Sequence, residues 1–209
     1  MRALVTGGAG FIGTNLVKRL LNDGYEVIVF DNYSTGYREN QIDGCRYGDV
    51  DVRDDFKNWD EKVDVIFHLA ALARIQPSIK NPVRCLENNF NGTLNVLEYA
   101  NRNNIQVIYA GSSSKHHNLY GSPYAWSKYS VYGPHQIMTG EYATVIGIFE
   151  NQFMENQPLT ITGDGEQRRD FTHVSDIVDG LVKCVGKDFR AEEFELGRGE
   201  NYSINEIAN

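Results

Sequence analysis

One stretch near the start constrains the fold more than any other: Gly7-Gly8-Ala9-Gly10-Phe11-Ile12-Gly13. Before it, Ala3-Leu4-Val5-Thr6 is a short apolar run that ends at glycine, the pattern of a buried strand. After it, Phe11 to Asn22 has helical spacing, with Ile12, Leu16 and Leu20 on one face beside Val17 and Leu21, and Gly24 just past the end. Glu26 to Phe30 is again strand-like and runs into Asp31. Strand, glycine turn, helix and strand within about 30 residues make a right-handed βαβ unit with parallel strands.

The alternation continues. Strands are expected at Cys45 to Tyr47, Val63 to Leu69 and Ile105 to Ala110. A long helix is expected from Pro82 to Asn101, with Leu86, Phe90, Leu94 and Leu97 on one side. This predicts an α/β chain built on a doubly wound parallel sheet. Past Ser122 the pattern weakens. Helices are expected at Thr144 to Asn156 and at Ser175 to Val185, the latter capped by Ser175, and another opens at Ser203. Short extended stretches are expected at Leu159 to Thr162, Phe171 to Val174 and Glu193 to Leu196.

The net charge of −8 argues against a protein that binds nucleic acid or a membrane surface, since both favour basic partners. No stretch approaches the roughly 18 apolar residues of a membrane span. The glycines interrupt the first apolar run too early for a signal peptide. Cys45, Cys85 and Cys184 are widely spaced and odd in number, which predicts neither a disulfide framework nor a metal site and fits a reduced, cytoplasmic setting.

A glycine turn between a strand and a helix lets the backbone approach a diphosphate, which the free N–H groups of the helix start then hold. Gly7, Gly10 and Gly13 carry that spacing here, with Phe11 and Ile12 supplying amides. Asp31, at the end of the next strand, is placed to accept hydrogen bonds from an adenosine ribose diol and to repel a 2′-phosphate. The expected cofactor is therefore NAD.

Further segments, in order, are Asp31-Asn32, Gly48-Asp49-Val50, His68-Leu69-Ala70-Ala71, Asn89-Phe90-Asn91-Gly92-Thr93, Ser112-Ser113-Ser114, Tyr124-Ala125-Trp126-Ser127-Lys128, Val131-Tyr132-Gly133-Pro134, and Gly163-Asp164-Gly165 through Arg169-Asp170-Phe171. With the glycine turn, this series resembles the extended short-chain dehydrogenase/reductase family, specifically its NAD-dependent sugar-nucleotide epimerases and dehydratases. The resemblance implies a Rossmann-like sheet over residues 1–130 and a small, truncated C-terminal substrate lobe over 131–209. It implies that Asn32 joins Asp31 at the cofactor, that Asp49 and Val50 contact the adenine, and that Leu69, Ala70 and Ala71 line the nicotinamide half. Asn89 would tie the active-site strand to the long helix. Tyr124 and Lys128, four apart on a helix, share a face. Lys128 would hold the nicotinamide ribose and lower the Tyr124 phenol pKa, so that Tyr124 acts as the base. Ser112 would hydrogen-bond the reacting hydroxyl, with Ser113 as the alternative, and Arg169 would meet the substrate diphosphate.

The expected substrate is a nucleotide sugar, and the expected reaction UDP-hexose 4-epimerisation through a transient keto-sugar. UDP-glucuronate decarboxylation, nucleotide-sugar dehydration and a non-catalytic NAD-binding remnant are the alternatives. The place where a dehydratase carries an Asp-Glu pair holds Ser113 and Ser114, which counts against elimination. Only Tyr129 and Ser130 separate Lys128 from Val131, where the family has a further helix and a strand. A parallel return needs a crossover of roughly a dozen residues, so the chain is expected to lack that segment. Its homodimer would be weakened by the loss of the helix. The family's C-terminal lobe also continues beyond the position of Asn209.

Overall fold

The computed structural model describes residues 1–54, 59–111, 130–132, 145–161, 163–188 and 194–209. In chain order the elements are β1 (Arg2–Thr6), α1 (Phe11–Asn22), β2 (Glu26–Asp31), β3 (Arg46–Asp49), β4 (Val65–His68), α2 (Ile75–Lys80), α3 (Pro82–Leu86), a π-helical turn (Glu87–Asn91), α4 (Gly92–Asn103) and β5 (Gln106–Tyr109). After them come β6 (Ser130–Tyr132), α5 (Val145–Met154), β7 (Arg168–Arg169), β8 (Phe171–His173), α6 (Val174–Lys183), β9 (Tyr202–Ser203) and α7 (Ile204–Ala208).

Five strands form one parallel sheet in the order β3-β2-β1-β4-β5. The order reverses beside β1, so the chain winds outwards in both directions from it. Thr6 lies in register with Phe30 on one side and His68 on the other. The C-terminal ends of β1, β2 and β4 therefore share one rim, and the loops that follow them meet there. In a sheet of this topology that rim is where ligands bind.

Both faces are covered. On one, Leu16, Val17 and Leu20 of α1 and Val174, Ile177, Val178 and Leu181 of α6 pack on Ala3, Val5, Val29 and Phe67. On the other, Val96, Tyr99 and Ala100 of α4 pack on Leu4, Ile28 and Ile66, with Trp59 wedged edge-on against Phe30 at 4.9 Å. A strand buried on both faces must be apolar at every position, and Ala3, Leu4 and Val5 are completely inaccessible. Helix α6 thus belongs to the sheet's core although it lies late in the sequence, and Arg19 of α1 bonds Asp179 of α6 at 3.3 Å.

Several expectations need correction. The long helix is interrupted by the π turn Glu87–Asn91, and Leu86, Phe90, Leu94 and Leu97 are 45–63 % exposed among the described residues. Gly92 explains the close approach of the inner face: a Cβ there would press on the Val52 side chain. Helix α6 begins at Val174, and its cap is His173, whose Nδ1 accepts from the Ser175 amide at 3.2 Å. Residues 159–161 and 194–196 are not strands. Strand β6 pairs in parallel with β8 in a separate two-stranded sheet. Ser203 is the cap of α7, in a reciprocal capping box with Glu206.

Leu16 is fully buried between α1 and the sheet. Leu16→Ala is expected to cost about 2–5 kcal/mol, read from urea unfolding midpoints at unchanged slope. A cost below about 1 kcal/mol would contradict this packing.

Candidate cofactor site at the sheet rim

The glycine turn is fixed by contacts that leave no room for side chains. Gly7 sits at φ +74°, where L-residues are strained, and a Cβ on it would lie 2.8 Å from the Ala70 backbone nitrogen. A Cβ on Gly13 would collide with the Gly7 carbonyl, so that glycine seats α1 directly on the turn. The Gly7 amide donates to the Phe30 carbonyl at 2.8 Å and ties the turn to β2. Gly10 is the N-cap of α1 and supplies no side-chain cap, so the first N–H groups of the helix face the rim without a competing side-chain acceptor.

Asp31 holds this turn from below. It is only 7 % exposed, with one carboxylate oxygen accepting from the Ala9 amide at 2.9 Å and the other from the Tyr33 amide at 2.8 Å. Burial pushes its pKa up. The two amide bonds pull the other way, and the neighbouring Asp49 charge adds to the rise. A carboxylate has about four acceptor positions, so the two amides leave capacity for hydroxyl donors. An uncapped helix start, a turn that tolerates no Cβ and a desolvated carboxylate beside it suit the diphosphate and ribose of a dinucleotide.

A second network closes the rim beside β4. Thr93 Oγ1 donates to the Asn89 carbonyl at 2.6 Å, so its hydrogen is used and it accepts from His68 Nε2–H at 2.9 Å. His68 Nδ1 is then an acceptor, and Thr6 Oγ1 donates to it at 2.7 Å. Thr6 Oγ1 in turn accepts from the Ala70 amide at 3.3 Å. Asn89 clasps Leu72 twice, accepting from its amide at 2.8 Å and donating to its carbonyl at 3.1 Å. The Leu69-Ala70-Ala71 loop is therefore bound to β1 and to the π turn through one directed chain. Burial lowers the His68 pKa to about 4 and keeps the ring neutral.

Other residues expected at the cofactor are occupied within the protein. The Asn32 amide group donates to Asp51 at 2.8 Å, and its carbonyl accepts from the Ser34 amide at 3.0 Å. Hydrogen bonds from Arg53 hold Asp51 well below the usual carboxylate range. Asp49 accepts from Arg38 at 2.5 Å. The Val50 amide donates to the Asp31 carbonyl at 3.3 Å, and the Val50 side chain packs on the second core. Arg169 is exposed on β7 and donates to the Arg168 carbonyl at 2.7 Å. Arg168 instead joins Asn201 and Glu206. Ser112, Ser113, Tyr124 and Lys128 lie outside the described residues, as do His116 and His117. Thr6, His68 and Thr93 stand in the segments picked out from the sequence but were given no role there, and Arg38 was not singled out. A threonine and a histidine paired in register at two strand ends were the available signal for the first two.

This rim defines a dinucleotide-binding α/β protein, and comparison with known proteins narrows it. The chain belongs to the NAD dependent epimerase/dehydratase family, whose model matches residues 3–125 and 115–197. A Methanocaldococcus jannaschii protein provisionally assigned as a UDP-glucose 4-epimerase is 33% identical, covering 98% of this chain and 79% of that protein. The UDP-N-acetyl-alpha-D-glucosaminuronate decarboxylase of Bacillus cytotoxicus is 29% identical, with 99% and 78% covered. The crystal structure of Thermotoga maritima UDP-glucose 4-epimerase with UDP-glucose superposes with a TM-score of 0.91 at 29% identity, covering 100% of this chain and 80% of that one. The Methanocaldococcus alignment spans 246 positions, against 209 residues here, so at least 37 positions face no residue of this chain. The two stretches matched by the family model overlap at residues 115–125.

His68 gives the rim a pH dependence. The native ring takes a proton only below about pH 4, whereas in the unfolded chain it does so below about 6.5. The unfolded state gains the proton first, so stability falls as pH drops from about 6.5 to about 4, by about 3 kcal/mol. His68→Gln should flatten the stability profile over that window in urea titrations. An unchanged slope would mean that the ring does not titrate as the network requires.

Proposed function

We propose that the protein is an NAD-dependent enzyme acting on a nucleotide sugar, of the UDP-hexose 4-epimerase type. The observation that carries this reading is the glycine turn held to β2 by Asp31 at the rim where the strand order reverses. The first amides of α1 would hold the diphosphate of NAD, Asp31 its adenosine ribose, and the Leu69-Ala70-Ala71 loop the side of the site beyond β4. NAD, when bound, supplies a hydride acceptor that can return the hydride within the same catalytic cycle.

The protein's own groups supply the proton chemistry and the orientation. Lys128, four residues after Tyr124, lowers the phenol pKa by its charge. Tyr124 takes the proton of the reacting sugar hydroxyl, and Ser112, or its neighbour Ser113, hydrogen-bonds that hydroxyl. Arg169 pairs with the substrate diphosphate, a role that suits a bidentate guanidinium. With NAD bound to accept and return the hydride of the carbon that bears this hydroxyl, Tyr124 would take the proton as the sugar is oxidised and give it back as the sugar is reduced. The epimerases named among the similar proteins support this substrate class, and those named decarboxylases, from Bacillus cytotoxicus and Xenopus tropicalis, support the shared oxidation step.

The test is product NMR after incubation with UDP-glucose, UDP-galactose and UDP-glucuronate in turn. The expected outcome is interconversion of the two hexoses, reduced about 100-fold or more by Tyr124→Phe. A UDP-pentose from UDP-glucuronate would replace this reading with decarboxylation. NAD uptake without any product would replace it with a non-catalytic NAD-binding protein, a reading to which the positions missing from this chain lend weight.

A further inference from the structure

Asp31 and Asp49 are direct cross-strand partners at the rim ends of β2 and β3, with Cα atoms about 4.8 Å apart as in any parallel pair. Their surroundings differ. Asp31 is buried and bound to two amides, whereas Asp49 is exposed and bound to the Arg38 guanidinium at 2.5 Å. Arg38 is fixed from a second direction. Its guanidinium carbon stands 4.0 Å from the centre of the Tyr33 ring, a cation–π contact. Tyr33 is itself pinned, because its amide bonds Asp31 and its hydroxyl accepts from Gln41 at 2.7 Å. The result is an arginine at the edge of the ribose carboxylate, attached to it through Tyr33 on one side and Asp49 on the other.

In dinucleotide folds of this kind an arginine near the strand end accommodates a 2′-phosphate, and a carboxylate at the strand end is the usual mark of NAD. This chain has both. We propose that Asp49 is a cofactor-specificity residue: by pairing with Arg38 beside Asp31 it withholds a guanidinium from a ribose 2′-phosphate and keeps the site selective for NAD over NADP. The proposal rests on the reading of this rim as the adenosine side of an NAD site. Asp49 acts by neutralising the nearby cation, so that Asp31 remains the one uncompensated charge at this edge. An exposed ion pair is readily exchanged for another. Once the carboxylate is gone, Arg38 stays stacked on Tyr33 and is free to form a bidentate pair with phosphate.

The experiment measures the dissociation constants of NAD⁺ and NADP⁺ by calorimetry for the whole chain, for Asp49→Asn, and for Asp49→Asn combined with Arg38→Ala. Asp31 is present throughout, so its repulsion cancels in the comparison. The ratio of the NADP⁺ constant to the NAD⁺ constant should fall about tenfold in Asp49→Asn and recover in the double variant. An unchanged ratio in Asp49→Asn overturns the proposal, as does a fall that persists without Arg38. If the unaltered chain binds neither dinucleotide, the NAD reading itself fails and takes this inference with it. If NAD⁺ binds but the ratio does not move, only the inference fails. Circular dichroism checks each fold, and Asp49→Ser takes the place of any Asp49→Asn preparation that does not fold.

Discussion

The site depends on a single buried carboxylate. Asp31 reaches from the end of β2 to the amide of Ala9 and to that of Tyr33, and so sets the glycine turn against the strand that follows it. A desolvated carboxylate is costly unless hydrogen-bonded, which is why it constrains the backbone around it so firmly. Both bonds come from backbone groups, so the constraint falls on the path of the chain rather than on particular side chains. Gly7 and Gly13 then follow as necessities: with the turn held this close to Ala70 and to α1, neither position admits a Cβ.

The sheet supplies the framework for that constraint. β1 is buried on both faces and flanked by β2 and β4, so three loops emerge side by side from one rim. Each loop is fixed by a different device. Asp31 fixes the first, Tyr33 with Asn32 and Asp51 the second, and the Thr6–His68–Thr93–Asn89 chain the third. The third depends on a neutral imidazole, whereas the first two depend on charged carboxylates, so acid is expected to loosen all three. The late helix α6 completes the packing behind them. At least 37 positions aligned in a relative face no residue of this chain, yet β1 to β5, α1 and α6 form one packed unit.

The parts legible in the sequence were those governed by local pattern. Helix α1 runs from Phe11 to Asn22 as its periodicity required, and the strands flanking the glycine turn lie where the apolar runs place them. Elements whose form depends on distant partners were not legible in the same way. The π turn at Glu87–Asn91, the exposure of Leu86, Phe90, Leu94 and Leu97, and the seating of Gly92 against Val52 have no local signature. Strand β6 forms because β8 is there to pair with it, 41 residues on in register. At the site, Asp31 could be read from its position at the end of β2, but its amide partners could not. The occupation of Asn32 by Asp51 and of Asp49 by Arg38 likewise arises only when separate loops are brought together.

The most direct test of the account is an amide NMR titration of the intact chain with NAD⁺. The predicted result is saturable shifts concentrated at residues 7–13 and 31–33, with Ala9 and Tyr33 among the largest because their amides report on the Asp31 carboxylate. Saturation with those amides unmoved, or no shifts at millimolar NAD⁺, would contradict the claim that this rim is the cofactor site.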